Sequence, residues 1–273
     1  MKEFIAVNEF PVLGTMVEQL RETAGFLWEK GWAEGSAGNI SVDVTDPSLF
    51  NRVYDHAADF ELNTSHPVLE RHIFLITASG ARMRQVMVDP LPFTGLIAVN
   101  DHGSSCRALS FGGDRPFHPS SELSVHLAVH AVLPDLQVPG RAVVHGHAHE
   151  LTALTYLDEY ANEKNMNELL RSIHPEMLMF LPEGLGLVPF SGSGSEDLAR
   201  RTAEKFLSHR VVLWEKHGCI AAGDDLRLAF DKMDIAAAVA RIFFYCRHAG
   251  FEPRGLNENQ IKTVRNPGTK SRP

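Results

Sequence analysis

His145-Gly146-His147 closes an apolar run, Arg141 to Val144, that reads as a β-strand. Side chains alternate along a strand, so two imidazoles project from one face at its end. Two imidazoles are half of a tetrahedral zinc site, whose catalytic form takes three protein ligands and keeps one position open. A pair of hydrogen-bonded histidines is the other reading of the same spacing. Several side chains compete for the third position. His149 continues the i, i+2 series if the strand persists, but Glu150–Leu154 reads as helix, which turns it away. His217 stands beside Gly218 between two apolar runs, where a side chain is held rigidly. His126 and His130 are i, i+4 on a helix, a legitimate metal spacing, although one polar helix face accounts for them more simply. Local sequence does not choose among them.

Glu122 falls in the first turn of a helix predicted to start near Ser120 or Ser121, either of which can cap it. A carboxylate there complements the helix dipole; close to a metal it is a general base. Small and hydroxyl-bearing turns recur at Ser36-Ala37-Gly38-Asn39, Thr77-Ala78-Ser79-Gly80 and Ser120-Ser121. Their N–H and hydroxyl groups together suit a phosphate without a cluster of lysines. Gly192-Ser193-Gly194-Ser195 reads as a helix-entry loop. The chain has no GxxxxGK[ST] loop and no GxGxxG after a strand, which disfavours nucleotide chemistry. Neither Ser79 nor Ser121 has a nucleophile-elbow context.

The elements that must position these groups follow from periodicity. Val12, Met16, Leu20, Ala24 and Leu27 predict a helix over 11–31, and Ile40, Val42 and Val44 alternate as a strand. Residues 46–70 are polar and proline-containing and read as a long loop or insertion. Strands are predicted at 72–77, 95–100, 105–110, 141–147, 177–181, 186–189, 210–214 and 218–222, with Pro182-Glu183-Gly184 as a turn. Helices are predicted near 148–158, 163–172, 195–208 and 225–248. Strands in runs as well as between helices give an α/β fold with a mixed, largely antiparallel sheet covered by helices. We expect one catalytic domain over 1–250 and a polar C-terminal tail over 251–273 that ends disordered.

A net charge of −8 argues against nucleic acid as a partner. Three cysteines without CxxC spacing argue against a disulfide framework and for a reducing, cytoplasmic setting. The N-terminus does not read as a signal peptide, and Ile235–Cys246, broken by Arg241, reads as a buried helix and not a membrane span.

Taken in order, these pieces resemble the class II aldolase/adducin family from about Trp28 to Gly250. The matching stretches are Trp28-Glu29-Lys30-Gly31-Trp32, Gly38-Asn39, and Thr77–Gly80 with Arg84 and Asp89-Pro90. Ser121-Glu122-Leu123, His145–His147 through Leu154-Thr155-Tyr156, and Leu213-Trp214 with His217-Gly218 complete them. The resemblance implies a three-layer α/β/α fold, with His145, His147 and His217 as ligands of one zinc ion per subunit. It makes Glu122 the catalytic acid/base and Glu176 a second catalytic carboxylate contributed by a neighbouring subunit. Ser36, Gly38, Asn39, Ser79, Gly80, Ser120 and Ser121 match its phosphate-binding loops. The chain departs from the family at Ser36-Ala37, where the relative has Asn-Gly, and Ala37 restricts the backbone there. The activity implied is zinc-dependent, reversible cleavage of L-rhamnulose 1-phosphate to dihydroxyacetone phosphate and L-lactaldehyde, in a homotetramer with sites between subunits. L-fuculose-1-phosphate cleavage, L-ribulose-5-phosphate epimerisation and methylthioribulose-1-phosphate dehydration are the alternatives on this fold. An adducin-like interaction module is the non-enzymatic one, and it is expected to lack the metal set.

Overall fold

The computed structural model describes residues 7–56, 58–111, 117–134 and 141–265. In chain order the first elements are α1 (Pro11–Glu29), β1 (Asn39–Asp43), α2 (Pro47–His56), β2 (Ala58–Glu61), β3 (Ile73–Thr77) and α3 (Met83–Val86). Next come β4 (Thr94–Val99), β5 (Ser105–Ser110), α4 (Leu123–Val132), β6 (Ala142–Gly146), α5 (His149–Leu154) and α6 (Glu163–Ile173). The last are α7 (Pro175–Phe180), β7 (Gly186–Val188), α8 (Glu196–Phe206), β8 (Val211–Trp214), β9 (Gly218–Gly223), α9 (Leu226–His248) and α10 (Glu258–Arg265).

The described strands form one sheet in the order β2-β5-β4-β3-β1-β6-β9-β8-β7. Neighbours are antiparallel except β7 and β8, which run parallel. Alternation along each strand builds a core on either face. Ile40, Val42, Ala142 and Val144 pack with α1, α5 and α9 on one side. Val143, Val212, Trp214 and Ile220 pack with α4 and α8 on the other, beside a cluster of Phe74, Ile76 and Ile97 under α4. Three layers, α/β/α, result.

Helix ends are set by side chains. Pro11 opens α1, where a fixed φ and a missing N–H cost nothing. Ser195 and Asp225 accept from Leu198 and Leu228 N–H at the starts of α8 and α9. The buried row of α1 is Leu13, Val17, Leu20, Ala24 and Leu27, so the expected stripe is rotated and Val12 is exposed.

Three expectations are corrected. Residues 46–70 are not a loop: α2 buries Leu49, Phe50 and Val53 at helical spacing, and β2 pairs with β5 as an edge strand. The run predicted as a strand over 177–181 is helical as far as Phe180, because Pro175 starts a turn whose Glu176 N–H is capped by His174 Nδ1. A five-residue apolar run does not tell strand from helix by itself. Neither Ser120 nor Ser121 makes a side-chain cap on α4, which begins at Leu123 with Glu122 in the capping position. Ser120 Oγ instead accepts from Glu122 N–H at 3.3 Å. Within the polar tail expected over 251–273, α10 packs against α7 and Leu256 N–H donates to Ser172 O; the end of the tail, expected to be disordered, lies outside the described residues. Among the described residues no helix is long and apolar enough to cross a membrane.

Candidate active site

Antiparallel pairing of β1 with β6 sets Asn39 opposite His145 and Ser41 opposite Val143. Asn39, Ser41 and His145 therefore share the face that α4 covers. His145 is buried, and its Nδ1 lies 2.9 Å from Cys219 O. A carbonyl only accepts, so Nδ1 carries the hydrogen and Nε2 keeps its lone pair. His147 is held twice by one segment: its N–H donates to Trp32 O at 2.8 Å and its Nδ1 donates to Glu34 Oε1 at 2.6 Å. Its Nε2 is free in the same way.

The third imidazole comes from a tight turn. β6 pairs with β9 through Gly146 and Cys219, and the β8–β9 turn brings His217 over them. A side chain at Gly218 would put its Cβ 2.7 Å from Gly146 O and about 3 Å from both neighbouring imidazoles, so only glycine fits. The His217 ring lies 5.2 Å from that of His145 and 5.1 Å from that of His147. One ligand-capable atom of each of the three lies within 4.8 Å of the others. With Nδ1 occupied on two of the rings, this donor set fits a metal that takes three nitrogen ligands.

The other histidines lie elsewhere. His149 opens α5, exposed, with Nε2 3.8 Å from Glu34 Oε2. His126 and His130 share one polar face of α4, and it is buried: both meet Ser41 Oγ, at 2.6 and 2.9 Å. Burial disfavours their charge and holds His126 down to about 3 and His130 to about 4. Both protonate far more readily unfolded, where the ordinary value is 6.5. Stability should therefore fall as pH drops below 6.5, by about 2 kcal/mol for each histidine by pH 5. Urea unfolding of metal-free protein at pH 7 and pH 5 measures this; equal midpoints would contradict it.

Glu122 lies at the mouth of α4, 4% exposed, with Oε2 3.5 Å from His145 Nε2 and Oε1 3.8 Å from His217 Nε2. Ser193 Oγ donates to Oε1 at 2.6 Å and Asn39 Nδ2 to Oε2 at 2.9 Å. Burial works against its charge, but His145, these two donors and His217 outweigh it, so the carboxyl lies below its ordinary value. Burial also keeps His145 neutral near pH 7, so at that pH the two hydrogen bonds sustain the carboxylate.

Two of the hydroxyl-bearing turns are tied together. Ala78 bridges Pro119, Ser79 N–H donates to His118 O at 2.8 Å, and Ser120 N–H donates to Thr77 O at 3.0 Å. Ser36, Gly38, Asn39, Ser79, Gly80, Ser120 and Ser121 line one cleft of about 570 Å³ with Glu122 and the three histidines. The Ala37 departure costs nothing: Gly35 and Gly38 take the positive φ of that loop, and Ala37 N–H donates to Glu34 O. Glu176 is exposed on α7 and is not among the residues lining this cleft. Sequence reasoning missed Glu34 and Ser193. The glycine-serine run around Ser193 was visible, but nothing in its spacing directed it at Glu122. Burial pushes the Cys219 thiol up to about 12, so it serves as a buried apolar group behind His145.

The sequence profile of the class II aldolase and adducin N-terminal domain matches residues 18–244. The chain belongs to the class II aldolase and adducin family. It is 34% identical over 256 residues to a rhamnulose-1-phosphate aldolase of Bacteroides thetaiotaomicron, covering 93% of this chain and 94% of that one. A protein of the same name from Yersinia pseudotuberculosis is 32% identical over 86% of each chain. The crystal structure of a sugar-phosphate aldolase from Thermotoga maritima superposes with a TM-score of 0.74 at 30% identity, over 89% of this chain and 99% of that one. These relatives place the chain on the enzymatic, aldehyde-lyase side of its family, and the three-layer architecture expected from sequence is the family's.

Proposed function

We propose that the chain is a zinc-dependent class II aldolase that reversibly cleaves L-rhamnulose 1-phosphate to dihydroxyacetone phosphate and L-lactaldehyde. The observation that carries this reading is the juxtaposition of three imidazoles with an ionised carboxylate 3.5–3.8 Å from two of them. The sugar comes from the names of the Bacteroides and Yersinia relatives.

His145, His147 and His217 hold one zinc ion per subunit. When bound, the ion supplies Lewis-acid polarisation of the substrate carbonyl. The turns at Ser36–Asn39, Ser79-Gly80 and Ser120-Ser121 hold the phosphate through N–H and hydroxyl donors. The Asn39 side chain is already engaged by Glu122, so its share in phosphate binding falls to the loop backbone. In the condensation direction Glu122 takes the proton from C3 of dihydroxyacetone phosphate. The C3–C4 bond then forms to L-lactaldehyde, the new C4 alkoxide takes a proton from Glu176 of a neighbouring subunit, and the cycle closes as Glu122 gives its proton to water and Glu176 takes one back from it. Cleavage runs these transfers backwards. An inter-subunit Glu176 fits its exposed place on α7, where Met179 and Phe180 are 50% and 54% exposed, as apolar interface residues are in an isolated subunit. We assign residues 1–250 to one catalytic domain within a cytoplasmic homotetramer; three free cysteines suit that compartment.

Assayed against L-rhamnulose 1-phosphate, L-fuculose 1-phosphate and L-ribulose 5-phosphate, the chain should release dihydroxyacetone phosphate fastest from the first. Equal release from the second would widen the substrate range. Epimerisation of the third, without cleavage of any, would replace the lyase by an epimerase.

A further inference from the structure

One chain of side chains leads from Glu122 through Asn39 of β1 to His126 and His130 of α4. Asn39 Nδ2 lies 2.9 Å from Glu122 Oε2, and the oxygen of the same amide meets His126 Nε2. His126 Nδ1 meets Ser41 Oγ, which also meets His130 Nε2. Two periodicities mesh here: Asn39 and Ser41 are i, i+2 on β1, and His126 and His130 are i, i+4 on α4. Ser41, Glu122, His126 and His130 are all buried.

Every hydrogen in this chain follows from its charged end. An ionised carboxylate only accepts, so Asn39 turns its NH2 toward Glu122 and its oxygen toward His126. An amide oxygen only accepts, so His126 carries its hydrogen on Nε2. Burial keeps that ring neutral, which leaves Nδ1 as an acceptor for the Ser41 hydroxyl. The Ser41 oxygen then accepts from His130 Nε2–H. Each donor points along the chain toward Glu122.

We propose that His126 is a positioning residue for the aldol reaction: through Asn39 it fixes the rotation of the Glu122 carboxylate and keeps a donor against it. The inference rests on Glu122 being the base, as proposed above. Without His126 the Asn39 amide is free to flip and set its oxygen against the carboxylate. A space-filling role needs only a side chain of similar size, whereas a positioning role needs an N–H at the place of Nε2. His126→Leu removes that donor while filling the space, and His126→Gln restores an N–H within reach of Asn39.

The Leu variant should lower kcat about tenfold, the lower end of what is lost when a group that orients a metal ligand is removed. KM should stay within about twofold, because ground-state binding is untouched. Bound zinc should be unchanged, and the Gln variant should recover most of kcat. Neutron diffraction from deuterium-exchanged crystals of the unmodified chain should show deuterium on Nε2 of His126 and none on Nδ1, a readout that survives if the Leu variant fails to fold. A wild-type kcat in the Leu variant, equal losses in the Leu and Gln variants, or deuterium on Nδ1 would each overturn the proposal. A Glu122→Gln enzyme with full activity would overturn the underlying role of Glu122 instead, whatever the deuterium positions show.

Discussion

Glu122→Gln should reduce kcat for cleavage of L-rhamnulose 1-phosphate by about a thousandfold, the middle of the range for loss of a general acid/base. The change removes the charge and the proton-carrying oxygen while keeping size and shape. Asn39 and Ser193 both donate to the wild-type carboxylate, and glutamine offers only one oxygen. Ser193 carries a freely rotating hydroxyl and can reverse to accept from the new amide. The fold and the histidine cluster should therefore survive, and zinc should still bind. Steady-state kinetics alongside metal analysis separates the two effects. A kcat within tenfold of wild type would remove Glu122 from the chemistry.

His217→Ala should weaken zinc binding by more than about 100-fold and abolish cleavage with it, since a catalytic site needs all three of its protein ligands. His217 is only partly buried and sits in a turn, so its removal opens no large core cavity. His149→Ala is the matched control. That imidazole continues the sequence series of His145 and His147 but projects into solvent from α5, and its loss should leave zinc content and rate unchanged. Retained zinc in His217→Ala, or lost zinc in His149→Ala, would reverse the choice between them.

That choice marks how far the sequence could be read. His145 and His147 were legible because a strand repeats every two residues and both sit within one short run. His217 was not decidable locally: it reaches the site through the pairing of Gly146 with Cys219, and register across some seventy residues is a tertiary fact. Likewise His126 and His130 were correctly placed on one polar helix face, but what that face meets was not legible. Their partners, Asn39 and Ser41, form the polar half of a strand whose apolar half, Ile40 and Val42, was read. A polar stripe facing a polar stripe is buried as readily as an apolar pair when every group finds a partner. The long strands and helices were legible from period alone; α2 and α7 were not, because their buried residues are few and lie among polar or short apolar runs. Glu34 and Ser193 act on single atoms of His147 and Glu122, and composition carries no trace of such contacts.

The most direct measurement takes the unmodified chain, strips it with a chelator, and follows release of dihydroxyacetone phosphate from L-rhamnulose 1-phosphate before and after zinc is returned. Cleavage should vanish in the stripped protein and return in proportion to zinc bound, up to one ion per subunit. Undiminished cleavage without metal, or none from a subunit that has taken up its ion, would contradict a metal-dependent aldolase built on His145, His147, His217 and Glu122.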